Sequence, residues 1–346
     1  MKPKGETEAA HIVRWSRFFV RRRGRVLTMG FGPGSWILFI AFVLGLLAVD
    51  LKVLHRNPHK VSAKEAGLWT LVLVALALAF AYLIHLRHDR GAEAAVDFLT
   101  AYVLEQSLSI DNLFVFVIIF ASFSVPSELQ HRVLLWGVLG ALVMRAMFIL
   151  TASALIQRFS WILFVFGAIL LITAYRLVFH AEEEIDVESQ WAVRLARRLL
   201  PVTSRYHGAR FFIREAAQWA ATPLFIVLVL VETTDVIFAF DSIPAVFGVT
   251  SDPFIVFTSN VFAILGLRSM YFLLVGAVDR FHYIRPALAF ILAFIGVKMI
   301  LEQLPEAWPV HVAISSVASL GVIAATLLIA GALSVALPPR DTGTGG

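Results

Sequence analysis

An all-α, polytopic membrane fold is predicted for this 346-residue chain, with about nine transmembrane helices, six of them in two inverted three-helix repeats. Three observations predict it. The residues are 59% hydrophobic and only 15% charged, against about 25% charged for a typical soluble domain, and the mean hydropathy is +0.83. The apolar residues fall in long runs rather than amphipathic stripes, as spanning helices require. A pattern of acids, polar residues and an arginine also occurs twice in those runs, in the same order.

Taken in order, residues 1–34 form a basic tail in which Arg14, Arg17, Arg21, Arg22, Arg23 and Arg25 alternate with Trp15, Phe18 and Phe19. That composition suits contact with a membrane surface or a basic arm. The charged region is too long for a secretory signal, and no small-residue cleavage site follows it. Apolar segments long enough to span, or nearly so, lie at about 35–51, 67–86, 96–123, 133–155, 161–179, 222–247, 254–277, 284–304 and 309–337. The organisation is therefore two peripheral helices in 35–95, repeat one in 96–179, a hydrophilic loop in 180–221, repeat two in 222–304, and a last helix with its tail in 305–346. Nine spans cannot place both the basic tail and the Arg-rich loop in the cytoplasm. The loops around Lys52–Lys64 and Arg280/Arg285 favour the cytoplasm for the long loop.

Cysteine is absent, which removes disulfides, thiol catalysis and zinc-thiolate sites together. No hydrolytic triad, P-loop or HExxH pattern occurs, so no enzyme and no resident cofactor is expected. The net charge of +5 is concentrated in the tail and points to the lipid bilayer rather than to nucleic acid.

The repeat places the costly residues. Glu105 to Asp111-Asn112 aligns with Asp235 to Asp241-Ser242, an acid followed six positions later by an aspartate and a small polar residue. In the next spans Arg145 aligns with Arg268, and in the third spans Tyr175-Arg176 aligns with Val297-Lys298. An odd number of helices per copy inverts the second copy, an arrangement typical of secondary transporters whose sites lie near mid-membrane. Each acid at the centre of a span costs about 2.5–3.5 kcal/mol. The bases Arg145, Arg268 and Lys298 can pair some of the acids Glu105, Asp111, Glu232, Asp235 and Asp241, but five acids against three bases leaves an excess. A cation or proton site follows, with the bases pairing the acids or gating them. Positions six apart point about 120° from each other on a regular helix. The flanking Ser107, Ser109, Thr233, Thr234 and Pro244 therefore suggest local helix breaks that would let each pair meet one ion.

All-oxygen donors suit Mg²⁺, Ca²⁺ or Mn²⁺, and crowded carboxylates hold protons until a divalent ion displaces them, which is the chemistry of proton antiport. Asn260 either lines this cavity or hydrogen-bonds between helices. Gly137, Gly140, Gly167, Gly266 and Gly296 are read as sites of close helix approach. His55 and His59, and the run Glu182-Glu183-Glu184, are read as solvated loop residues.

Leu104-Glu105-Gln106-Ser107-Leu108-Ser109-Ile110-Asp111-Asn112-Leu113-Phe114-Val115-Phe116 resembles the first signature of the TerC family of membrane proteins. Glu232-Thr233-Thr234-Asp235-Val236-Ile237-Phe238-Ala239-Phe240-Asp241-Ser242-Ile243-Pro244-Ala245 resembles its second signature, and the stretch from Thr258-Ser259-Asn260 to Gly266-Leu267-Arg268 a third. The likeness covers about 36–301. It implies a bacterial inner-membrane exporter of Mn²⁺ working against protons, and a relation to the LysE superfamily. The family's intramembrane acids map onto Glu105, Asp111, Glu232, Asp235 and Asp241, with Asn112 and Ser242 as adjacent polar ligands. Two alternatives stand beside Mn²⁺ export. One is a Ca²⁺ or broader divalent-cation exporter. The other is a non-transporting assembly or metallation scaffold that docks proteins through 180–221.

Overall fold

A computed structural model describes residues 31–49, 62–179, 191–215, 218–275, 283–304 and 314–336. The basic tail up to residue 30, the loop with His55 and His59, and Glu182-Glu183-Glu184 lie outside the described residues. The chain runs through α1 (Pro33–Val49), α2 (Ala63–Arg87), α3 (Ala92–Ser122), α4 (Ser127–Arg158), α5 (Ile162–Phe179) and α6 (Trp191–Leu199). It continues through β1 (Phe212–Glu215), β2 (Gln218–Ala221), α7 (Pro223–Phe247), α8 (Pro253–Leu274), α9 (Ile284–Gln303) and α10 (Ser316–Ala336).

Eight of these helices, α2–α5 and α7–α10, are long and apolar enough to cross a membrane. α1, the shortest expected span, has 17 residues. At 1.5 Å per residue it covers about 25 Å, just short of a hydrocarbon core of about 30 Å. The bilayer also explains the outer surface. Leu328 and Val335 on α10 are 74% and 78% exposed, a display that in water would be a costly apolar patch.

Local chemistry sets the helix starts. Ser62 caps α2 by accepting from the Glu65 backbone N–H at 3.2 Å, half of a capping box. Asp252 caps α8 through the N–H groups of Phe254 and Ile255 at 3.0 and 3.3 Å, with Pro253 as first helical residue. The hydrophilic loop carries more structure than its composition suggests. It contains α6 and an antiparallel hairpin in which Phe212 pairs with Ala221 and Glu215 with Gln218. Tyr206 ties the loop to the end of α3 by donating to the Phe123 carbonyl at 2.8 Å.

The two helix triplets pack across each other rather than within themselves. α3 lies on α8 and, reciprocally, α7 lies on α4; α4 meets α8, α3 meets α7, and α5 meets α9 most extensively of all. The last pairing depends on two glycines. A Cβ on Gly167 would sit 3.0 Å from the Gly296 carbonyl oxygen, and one on Gly296 would sit 3.0 Å from that of Gly167. Small residues at such a crossing let backbones approach. α1 and α2 pack outside this six-helix body, where Phe39, Phe80, Phe98, Phe254 and Phe262 form one aromatic core.

The expected helix breaks are absent: α3 and α7 run unbroken through both acid motifs. Three of their hydroxyls are accommodated inside the helix, while the buried Ser109 Oγ has no hydrogen-bond partner among the described residues. Ser107, Thr233 and Thr234 donate to the carbonyls of Val103, Val229 and Leu230, each four residues back, at 2.6, 2.7 and 2.8 Å. Satisfied this way, the hydroxyls need no opened backbone.

Candidate ion site

At the centre of the bundle, one guanidinium joins acids from both triplets. Arg145 on α4 donates from Nη1 to Glu105 Oε2 of α3 at 2.7 Å. It grips Asp235 of α7 with two bonds, Nη2 to Oδ1 at 3.1 Å and Nε to Oδ2 at 3.3 Å. Nη1 also lies 3.3 Å from Asn260 Oδ1 and 3.4 Å from Ser242 Oγ. Asn260 turns its amide nitrogen to Glu105 Oε1 at 2.7 Å. Arg145, Glu105 and Asp235 are 1%, 0% and 4% exposed.

Helix periodicity explains the membership. Asp235 and Ser242, seven residues apart on an unbroken α7, share one face. Ions taken this far from water persist only if paired and further hydrogen-bonded, and the planar guanidinium fork suits a carboxylate approached by two N–H groups. These five side chains carry two formal negative charges and one positive.

Asp111 and Asp241 lie six residues beyond Glu105 and Asp235, and unbroken helices point residues six apart in different directions. Asp111 is half-buried on α3, and its neighbour Asn112 is buried. Asp241 is half-buried and accepts a hydrogen bond from Thr173 of α5 at 2.7 Å. Glu232 lies one turn before Asp235, half-buried against α4. Among the described residues, no three histidine or carboxylate side chains gather as a metal-holding group. The seven predicted ligands, Glu105, Asp111, Asn112, Glu232, Asp235, Asp241 and Ser242, are thus divided between one buried centre and flanking positions. A void of about 10 Å³ borders Asp235, room for about one water.

Of the bases, Arg145 pairs with the predicted acids. Lys298 does not. Buried at 3% exposure, it donates to the Gly248 carbonyl at 3.1 Å and lies 3.5 Å from Glu302. Gly248 caps the C-terminus of α7, where unpaired carbonyls attract a cation. Arg268, which aligns with Arg145 in the sequence, is half-buried on α8, about 12 Å along the helix from Asn260 by its rise.

Two features escape a reading of the sequence. Gly140 marks more than a close helix approach, because a Cβ there would collide with the Glu232 carboxylate; the glycine makes room for an acid. Near the end of the bundle, His88 Nε2 lies 3.1 Å from Asp252 Oδ2 while its Nδ1 accepts from the Arg90 N–H at 3.0 Å. That acceptor role leaves Nε2 as the protonated, donating nitrogen. Arg90 also holds the buried Asp97 at 2.7 Å. The sequence signal for this group is the polar run Arg87-His88-Asp89-Arg90 between two spans.

Comparison with known proteins agrees with the architecture. The chain is 47% identical over 288 residues to an uncharacterized membrane protein of Myxococcus xanthus, covering 83% of this chain and 89% of that one. It is 44% identical over 304 residues, 86% of this chain and 94% of the other, to an Escherichia coli K12 protein provisionally named membrane-bound redox modulator Alx. A Rickettsia bellii membrane protein is 37% identical over 295 residues, 85% of this chain and 95% of its own length. No solved structure matches. Residues 90–341 match the family described as integral membrane protein TerC. With most of its length so matched, and with both acid motifs lying inside the match, the chain is a multi-pass member of the TerC family of integral membrane proteins.

Proposed function

We propose that this chain is a secondary transporter that exports a divalent metal ion, Mn²⁺ in the first place, across the bacterial inner membrane in exchange for protons. One observation carries the reading. Glu105 and Asp235, at matching positions of the two triplets, converge on a single buried cation position. With the Asn260 and Ser242 oxygens beside them, they make an all-oxygen donor set suited to a hard divalent ion. A buried guanidinium there reports that the position favours positive charge.

In this account metal displaces Arg145 from the two carboxylates, while the half-buried Asp111, Glu232 and Asp241 serve the approach of metal and the passage of protons. Bacterial relatives support the inner membrane as location. The chain acts by transport rather than by enzymatic conversion and needs no resident cofactor. The redox name of the Escherichia coli relative cannot rest on thiol chemistry in this chain, which has no cysteine.

A second reading, a membrane scaffold that docks other proteins, draws on the loop between the triplets, where exposed Trp191 and Trp219 accompany Arg194, Arg197, Arg198 and Arg214. Reconstitution separates the two. Purified protein in proteoliposomes is assayed for Mn²⁺, Ca²⁺, Mg²⁺ and Zn²⁺ flux with an internal pH dye. Mn²⁺ flux with an opposing pH change is expected. Flux without a pH change removes the antiport, and no flux of any ion leaves the scaffold.

A further inference from the structure

We propose that Arg145 is a tethered counter-cation that moves between two positions: on Glu105 and Asp235 when the site holds no metal, and on Glu232 when it does. The inference rests on the transport reading and deepens it by saying where Arg145 goes when metal displaces it and which acid receives it.

The first position is the observed one. All the nitrogens of the Arg145 fork point at oxygens, and those oxygens, from Glu105, Asp235, Asn260 and Ser242, are the ones a divalent ion would take. Guanidinium and metal are therefore mutually exclusive by position, and they also repel by charge. Metal that enters must send Arg145 elsewhere, and leaving a guanidinium buried without a partner would be prohibitive.

The second position is ready for it. Glu232 lies one turn before Asp235 on α7, on the same side of the helix. Its carboxylate occupies the space left by the missing side chain of Gly140 on α4. Gly140 is five residues ahead of Arg145 on that helix, about 7.5 Å by its rise and about 140° around it, so the long Arg145 side chain, which leans toward the N-terminus, has to swing around α4 to meet Glu232. Glu232 is half-buried and makes an ion pair with neither Arg145 nor Lys298 among the described contacts. It is thus an acid on the neighbouring helix, one turn from Arg145's resting partner Asp235, in a slot that Gly140 leaves open.

Two consequences separate this device from a static ion pair. Arg145 competes with metal, so apparent affinity is lowered by the fraction of time it holds the acids. It also neutralises part of the empty site, which lets the metal-free carrier return.

The test uses the full chain with Mn²⁺ as probe, measuring the binding constant by calorimetry, tracer exchange with Mn²⁺ on both sides, and net flux from one side. Arg145→Met should bind Mn²⁺ tighter by on the order of tenfold, keep exchange and lose net flux, and Arg145→Lys should restore net flux. Glu232→Gln leaves the resting network intact, so it reads independently if Arg145→Met fails to fold. It should weaken Mn²⁺ binding, as should Gly140→Ala. Unchanged Mn²⁺ affinity in folded Glu232→Gln, or wild-type net flux in Arg145→Met, overturns the proposal and leaves transport standing. A wild-type protein that neither binds nor moves Mn²⁺ overturns the transport reading, and this inference with it.

Discussion

Glu105 and Asp235 share one guanidinium: Arg145 reaches the first at 2.7 Å and the second at 3.1 Å, and water reaches almost none of the three. Because two acids flank one base, the three residues should differ in what their removal costs. Arg145→Met strands two buried carboxylates and should cost about 3–5 kcal/mol, the usual penalty for breaking a buried pair. Asp235→Asn leaves Arg145 on Glu105 and should cost clearly less. Thermal unfolding in detergent gives the order, and equal losses would show that the residues are not held as one network.

The crossing of α5 and α9 predicts a packing defect. Gly167→Ala places a methyl 2.7 Å from Ile300 Cγ1 and 3.0 Å from the Gly296 carbonyl. Overpacking of this kind costs about 1–3 kcal/mol. Gly321→Ala, with open space around it, is the control and should leave the melting temperature where it was.

Asp252 has two tasks, capping α8 and holding His88. Asp252→Ala loses both and should destabilise by about 1–2 kcal/mol through the cap alone. Asp252→Asn keeps an N-cap oxygen and should recover most of that loss. The comparison is again a melting curve, and identical curves for the two variants would assign the residue's value to charge rather than to capping.

Much of this was legible in the residues. Long apolar runs place the helices, because a bilayer leaves backbone groups no partners except one another. Aligning the two acid motifs pairs Glu105 with Asp235, the two acids that meet. The missing part is side-chain direction. Ser107, Thr233 and Thr234 can open a helix or bond back to it, and composition does not decide between these; here they bond back and keep Asp111 and Asp241 off the centre. Lys298 has the same charge as Arg145, but its place beside the end of α7 gives it a carbonyl instead of the acids. The room that Gly140 makes for Glu232 appears only once α4 and α7 are side by side.

The measurement closest to the central claim is Mn²⁺ flux through Glu105→Gln and Asp235→Asn proteins reconstituted beside wild type, each shown to be folded. The account predicts Mn²⁺ transport by wild type and its loss in both variants. Wild-type flux in either variant would contradict a shared ion position between these two acids.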